Sequence, residues 1–181
     1  LEGGLAAQVE RVLPRVRPDT VLVGHDMGGV VAAMVALRAR PARVVLCGTA
    51  LGPYWAAVRA TALPFAWRYF YARHGGRRFV AGAVDPSRSA DALAAFPGAD
   101  PVEMRAVARS MRPPESLAVA LGAATRVDLL WGRHDRWYPP WVARAVARGT
   151  GGQITWVNGG HFAMWEAPAE WAAALHGILS G

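Results

Sequence analysis

The stretch Val21-Leu22-Val23-Gly24-His25-Asp26-Met27-Gly28-Gly29 decides the reading of this chain. An apolar, strand-forming run stops at a glycine, passes through an aspartate, and resumes beyond two further glycines as an Ala- and Val-rich stretch to about Ala39, which Pro41 terminates. A central residue flanked by glycines two places before and after it has the form of a nucleophile elbow, a strained strand-to-helix turn that pushes its middle side chain into the open. A β-carbon at Gly24 or at Gly28 is expected to collide with neighbouring backbone there. The motif ordinarily carries Ser at its centre; here it carries Asp26. A carboxylate attacking an acyl carbonyl gives a reactive anhydride, whereas attack on a saturated carbon gives an ordinary ester. The expected electrophile is therefore a saturated carbon.

Working outward, apolar positions at helical spacing (Leu5, Val9, Val12, Leu13, Val16) predict a helix from Leu5 to Val16, followed by a strand from Thr20 to Val23. The elbow leads into a helix from about Gly28 to Ala39, and Arg43 to Cys47 is a second buried strand. Strand, helix and strand with short links is the parallel βαβ pattern. From Leu51 to about Ser116 the sequence turns aromatic-rich and proline-punctuated, which reads as a helical insertion. The α/β pattern returns with a short helix near Ser116 to Ala124, a strand at Arg126 to Trp131, a helix from about Pro140 to Arg148, a strand at Gln153 to Val157 and a last helix from about Pro168 to Leu179. The organisation is thus an α/β core over residues 1–50, a helical cap insertion over 51–116 and the rest of the core over 117–181.

At 181 residues and 53% hydrophobic content the chain can bury a sizeable core. All 20 basic residues are Arg, and the net charge is +7, yet the arginines are scattered, with no dense basic run and no aromatic-interleaved pattern. Nucleic acid is not an expected partner. The absence of Lys excludes a Walker-type phosphate loop, a Schiff base and a pyridoxal phosphate anchor. The single cysteine, Cys47, can form neither an internal disulfide nor a cysteine-rich zinc site. No metal-ligand spacing such as H-E-x-x-H occurs, so neither a metal nor a cofactor is expected. No apolar run reaches a membrane-spanning length of about 18 residues. The chain opens on Leu1 rather than Met, so it reads as a fragment or a trimmed piece, and a cytoplasmic location is the expectation.

Two further stretches follow the elbow. In Trp131-Gly132-Arg133-His134-Asp135-Arg136-Trp137-Tyr138-Pro139 an acid sits just after a strand; in Asn158-Gly159-Gly160-His161-Phe162-Ala163-Met164-Trp165-Glu166-Ala167-Pro168 a histidine lies between the last strand and the last helix. Nucleophile, acid, histidine is the chain order of the α/β-hydrolases. Over nearly its whole length the chain resembles an α/β-hydrolase of the aspartate-nucleophile branch, which includes epoxide hydrolases and haloalkane or haloacetate dehalogenases. The resemblance implies a mostly parallel sheet flanked by helices with a helical cap. It also implies a catalytic triad of Asp26 as nucleophile, His161 as the base that activates water, and Asp135 as the group that orients His161. The backbone N–H of Met27 would be one oxyanion-hole donor. The resemblance further implies several core strands ahead of the elbow, one of whose loops supplies a second oxyanion donor; those strands are not in the sequence given.

Departures from the branch sort the substrate. Haloalkane dehalogenases carry a halide-binding Trp directly after the nucleophile, and fluoroacetate dehalogenases carry Arg there and again three residues on; here those positions are Met27 and Val30. Cys47-Gly48-Thr49-Ala50, where many dehalogenases carry their acid, has none. The expected reaction is therefore opening of an epoxide or a similar electrophile in a small-molecule substrate, with a cap tyrosine (Tyr54, Tyr69 or Tyr71) as a candidate acid for the departing alkoxide. A dehalogenase, with Trp55 or Trp67 contacting the halide, and a catalytically incomplete fragment acting as a binding module are the alternatives. Oligomeric state is not legible. His25 reads as structural, directed away from the substrate; His134 reads as a loop residue, Glu166 as a helix-start acid before Pro168, and His74 and His176 have no motif context. Asp135 also fits a plain turn-former at the head of Asp-Arg-Trp-Tyr-Pro.

Overall fold

Val44, Val45 and Leu46 are fully buried and Cys47 is 2% exposed, so the segment is apolar on both of its faces. Such a strand is stable only inside a sheet covered on both sides. In the computed structural model, which describes residues 4–49, 51, 60, 63–68, 84, 87, 90, 94, 100–111 and 116–181, this segment is β2 (Arg43–Cys47). It pairs in parallel with β1 (Val21–His25) and with β3 (Arg126–Gly132), and β3 pairs in parallel with β4 (Gln153–Val157), so the described sheet runs in the order β1-β2-β3-β4.

The helices in chain order are α1 (Leu5–Val12), α2 (Met27–Ala39), α3 (Pro64–Trp67), α4 (Pro101–Ser110), α5 (Leu117–Ala124), α6 (Pro140–Thr150), α7 (Ala163–Glu166) and α8 (Pro168–Ser180) among the described residues. The two-residue period of the strands divides their side chains between two cores. Val44, Leu46, Leu129 and Trp131 meet α1, α2, α5 and α6 on one face. Val45, Cys47, Leu130 and Val157 meet Ala163 of α7 and Ile178 of α8 on the other. Burial pushes the Cys47 thiol up to about 12, which leaves it a small apolar filler.

The strands and helices expected within 4–49 and 116–181 are present, with shifted ends, while most of the expected helical cap over 51–116 lies outside the described residues. The first helix stops at Val12 and tightens into a 3-10 turn over Leu13–Arg15. Pro14 explains this, since it has no N–H to continue the α-helical ladder. The first strand extends to His25, because its pairing continues through His25 opposite Cys47 and brings the sheet right up to Asp26. The helix α7 is unexpected: it occupies part of the link between the last strand and the last helix and ends on Glu166, the residue read as a helix-start acid. Within 51–116 the described helices are α3 and α4; α4 docks on α1, where the Leu5 N–H donates to Ser110 Oγ at 2.7 Å, and Val107 and Met111 join the apolar cluster of α1 and α2.

All four strands run the same way, so their carboxyl ends lie along one edge of the sheet. The segments that follow them (Asp26, Gly48-Thr49, 133–138 and 158–162) gather there, the usual crevice of an open α/β sheet.

Candidate functional site

Asp26 joins β1 to α2 with φ 51° and ψ −125°, a backbone conformation that costs a non-glycine residue about 1–3 kcal/mol. The surroundings hold it there. Its N–H donates to the Cys47 carbonyl at 3.1 Å, and its own carbonyl accepts from Thr49 Oγ1 at 2.6 Å and from the Gly29 N–H at 3.0 Å. A β-carbon at Gly24 would lie 2.7 Å from the Gly28 carbonyl oxygen, as expected of the elbow. At Gly28 the expectation fails, for a β-carbon there would meet nothing within 4 Å. The constrained glycine is the next one: a β-carbon on Gly29 would lie 2.5 Å from Thr49 Oγ1, on the residue that clamps Asp26. Met27 is the first residue of α2, where a backbone N–H has no partner within its own helix.

Asp135 follows β3, and its two oxygens are divided. Oδ1 accepts the backbone N–H groups of Trp137 at 2.9 Å and Tyr138 at 2.7 Å, while Oδ2 accepts from His161 Nδ1 at 3.0 Å. The turn-former and the orienting acid are thus one residue, with an oxygen for each task. His161 follows β4, its side chain fully buried, and presents Nε2 at 3.8 Å from Asp26 Oδ2, an ion-pair distance rather than a hydrogen bond. The three residues singled out in sequence therefore converge, with His161 between two carboxylates.

That position sets the charges. Burial pushes His161 down, but the hydrogen bond to Asp135 and the negative charges of Asp26 and Asp135 outweigh it and raise the imidazole to about 9. Burial pushes Asp26 up; the close approach and charge of His161, the charge of His25 and the hydrogen bond from the Tyr138 hydroxyl reverse this and hold its carboxyl below the ordinary value. His25 is driven down to about 4, first by burial and then by the neighbouring His161 charge. His25 is structural in the sense that its Nε2–H donates to the His161 carbonyl at 2.8 Å. It is not remote from the site, since its ring lies 4.6 Å from the His161 ring.

Three contributors were not anticipated. Tyr138, inside the quoted acid stretch, donates its hydroxyl to Asp26 Oδ1 at 2.8 Å. Thr49 clamps the elbow carbonyl. Glu166, read as a helix-start acid, is buried, and its Oε1 accepts the Gly160 N–H at 3.0 Å, which ties down the segment carrying His161. Only its place five residues after His161 hinted at this. The remaining histidines stay apart: His134 meets Asn158 Oδ1 at 3.2 Å in an exposed position, and His176 pairs with Ser180 on α8. Trp67 is buried, with the Arg105 guanidinium 5.9 Å from its ring centre. Tyr54, Trp55, Tyr69, Tyr71 and His74 lie outside the described residues.

Among the described residues no group of three or more His, Cys, Asp or Glu side chains is arranged to hold a metal ion, and no helix is long and apolar enough to cross a membrane. A cleft of about 660 Å3 beside the His161 segment is lined by Val84, Ser87, His134, Arg136, Asn158 and Glu166 among others; its described lining includes none of Asp26, Asp135 or His161.

Solved structures share this architecture. A hydrolase from Pseudomonas aeruginosa PA01 superposes with a TM-score of 0.77 at 19% identity, covering 99% of this chain and 73% of that one. The enol-lactonase from Burkholderia xenovorans LB400 gives 0.75 at 16% identity, over 98% of this chain and 74% of that one. A thermophilic esterase from Thermogutta terrifontis gives 0.68 at 24% identity, over 90% of this chain and 65% of that one. At these identities the likeness is one of fold, and the chain spans about two thirds to three quarters of their lengths. No curated protein matches the chain. The model of the alpha/beta hydrolase family matches residues 2–174; with a parallel sheet flanked by helices and an elbow, an acid and a histidine following β1, β3 and β4, the chain belongs to the alpha/beta hydrolase family.

Proposed function

We propose that this hydrolase opens an epoxide, or a similar electrophile at saturated carbon, through an alkyl ester on Asp26 that a His161-activated water then hydrolyses. One observation carries the reading: the residue at the strained elbow, 3.8 Å from His161 Nε2, is a carboxylate and not a hydroxyl. The names of the structural neighbours refer to a lactonase and an esterase, whose substrates are acyl electrophiles. On those, Asp26 would form an anhydride, so we do not carry their substrates over.

In the first step an Asp26 oxygen bonds to an epoxide carbon as the ring C–O bond breaks; the ring oxygen leaves as an alkoxide that takes a proton from an acid, for which the cap tyrosines are the candidates, and a hydroxyalkyl ester on Asp26 results. His161 is held as imidazolium in the resting site partly by the Asp26 charge. Esterification removes that charge, the imidazolium loses its proton more readily, and neutral His161 becomes available as base. Asp135 keeps Nδ1 protonated throughout, which leaves Nε2 to accept the proton of water. The Met27 N–H faces the developing oxyanion in this scheme. Met27 and the buried Val30 stand where dehalogenases carry halide or carboxylate contacts, which favours the epoxide.

The test is intact-protein and peptide mass spectrometry of a His161→Gln variant incubated with a panel of epoxides and haloalkanes. Loss of the base slows ester hydrolysis by roughly 100-fold or more, so the intermediate accumulates. An adduct on the Asp26 peptide with the full mass of an epoxide is the expected result; an adduct lacking the halogen would assign halide displacement instead. A folded variant that acquires no adduct from any compound overturns the reading.

A further inference from the structure

The two oxygens of Asp26 face different groups. Oδ2 looks toward His161, whereas Oδ1 accepts the Tyr138 hydroxyl at 2.8 Å. A carboxylate can only accept, so the phenol is the donor. That hydroxyl is fixed by its own backbone: the Tyr138 N–H is held by Asp135 Oδ1 at 2.7 Å, and the Tyr138 carbonyl accepts from Trp131 Nε1 at 2.9 Å. The residue is 5% exposed, and its ring lies edge-on to His161 with centroids 5.3 Å apart. A donor whose position is set before any substrate arrives, at a distance suited to an oxyanion, is what electrostatic preorganisation requires.

We propose that Tyr138 is a second oxyanion donor, supplied by the acid-bearing segment: its hydroxyl holds Oδ1 as the carbonyl oxygen of the Asp26 ester and stabilises the charge that collects there when water adds. The inference rests on the alkyl-ester reading and assigns a further residue to its second step. In that step His161 Nε2 takes one proton from water as the water oxygen bonds to Asp26 Cγ, and the C=O π pair moves onto Oδ1, where Tyr138 meets it with a hydrogen bond and transfers no proton. Collapse re-forms C=O and breaks the Cγ–O bond to the alkyl group. The alkoxide takes the proton from His161 and leaves as an alcohol, and the new carboxylic acid at Asp26 releases the remaining proton of the water. Asp135 then has a task at each end of the step, orienting the base through Oδ2 and the donor through the Tyr138 backbone.

The experiment follows adduct formation and decay separately, by rapid-quench mass spectrometry with an epoxide that labels His161→Gln, in the wild type and in Tyr138→Phe. Phe keeps the ring packing and both backbone contacts, and a melting curve verifies the fold. Adduct formation within about threefold of wild type, with decay slowed on the order of 100-fold, is expected. A general loss of site structure would slow both steps. Slowed formation with unchanged decay would make the phenol the acid for ring opening and overturn the proposal, as would unchanged rates for both steps. If His161→Gln itself acquires no adduct, the alkyl-ester reading falls and takes this inference with it, whereas an adduct in His161→Gln combined with normal decay in Tyr138→Phe removes the Tyr138 role alone.

Discussion

Two aspartates stand at the two nitrogens of one histidine and are held in opposite ways. Asp26 is fixed through its backbone: φ is 51°, and Thr49 and Gly29 grip the carbonyl, while the side chain is 18% exposed and lies 3.8 Å from His161. Asp135 is fixed through its side chain, which is 1% exposed and accepts three hydrogen bonds at 2.7–3.0 Å. A carboxylate whose lone pairs are taken by backbone N–H groups is a poor nucleophile, whereas one placed by backbone strain keeps an oxygen for chemistry. The same residue type therefore serves as reagent in one place and as scaffold in the other.

The sharpest way to break this contrast is to truncate each side chain. Asp26→Ala should abolish turnover, by roughly 10^5-fold, as loss of a nucleophile does, while costing only about 1–2 kcal/mol of stability in urea denaturation, for the loss of the acceptor of the Tyr138 hydroxyl. Asp135→Ala should also abolish turnover but cost about 3–5 kcal/mol, because it leaves a buried charge on His161 and two buried N–H groups without their acceptor. Equal stability losses in the two variants would refute the division of labour. Asp135→Asn sharpens it further: its carbonyl oxygen can still accept the Trp137 and Tyr138 N–H groups, so most of the stability should return while turnover stays down by about 10^4-fold through loss of the His161 tautomer.

A subtler test is pH. His161 is raised from an ordinary 6.5 to about 9 in the folded protein, so its contribution to stability is fully present below pH 6.5 and is lost as pH rises through about 9. His25, depressed to about 4, acts the other way: the unfolded chain takes up its proton first, and stability falls as pH drops from 6.5 toward 4. Asp26, held below its ordinary value, adds a loss as pH falls through and below 3.8. Thermal melts between pH 4 and pH 9.5 should therefore decline on both sides of about pH 6.5. In Asp26→Asn the alkaline decline should shift to lower pH, since one of the two carboxylates that raise His161 is gone; NMR titration of the ring reads this directly. An unchanged His161 titration in that variant would mean that Asp26 does not act on the imidazole.

The smallest expected effect lies at the elbow clamp. Thr49→Val removes the hydroxyl that holds the Asp26 carbonyl at 2.6 Å and should cost about 1–2 kcal/mol. If the strain at Asp26 is maintained by that clamp, turnover should fall with little change in the substrate concentration for half-maximal rate; a loss of stability with turnover intact would mean that the sheet alone positions the nucleophile.

Much of this was legible in sequence because it depends on local chemistry and chain order. The elbow glycines, the alternation of buried strands with amphipathic helices, and an acid and a histidine just past later strands follow from residue types at fixed spacing. Asp26, Asp135 and His161 could be picked out that way, since parallel strands bring their following segments to one edge whatever the details of packing. What the sequence could not yield depends on approach distances across the chain. Gly24 is constrained as expected, but the second constraint fell on Gly29 rather than Gly28, because Thr49 reaches in from the segment after β2. Tyr138 and Glu166 carried no pattern of their own: one is turned onto Asp26 by the Asp135 turn, the other onto Gly160 by the short helix α7. The raised value of His161 and the lowered one of His25 are likewise tertiary, for burial and the neighbouring charges compete at each ring and only their three-dimensional balance decides the sign. Sequence by itself determined the fold class and the chemical types at the strand ends; tertiary structure decided which of their atoms meet, because that depends on distances of a few ångström between segments remote along the chain.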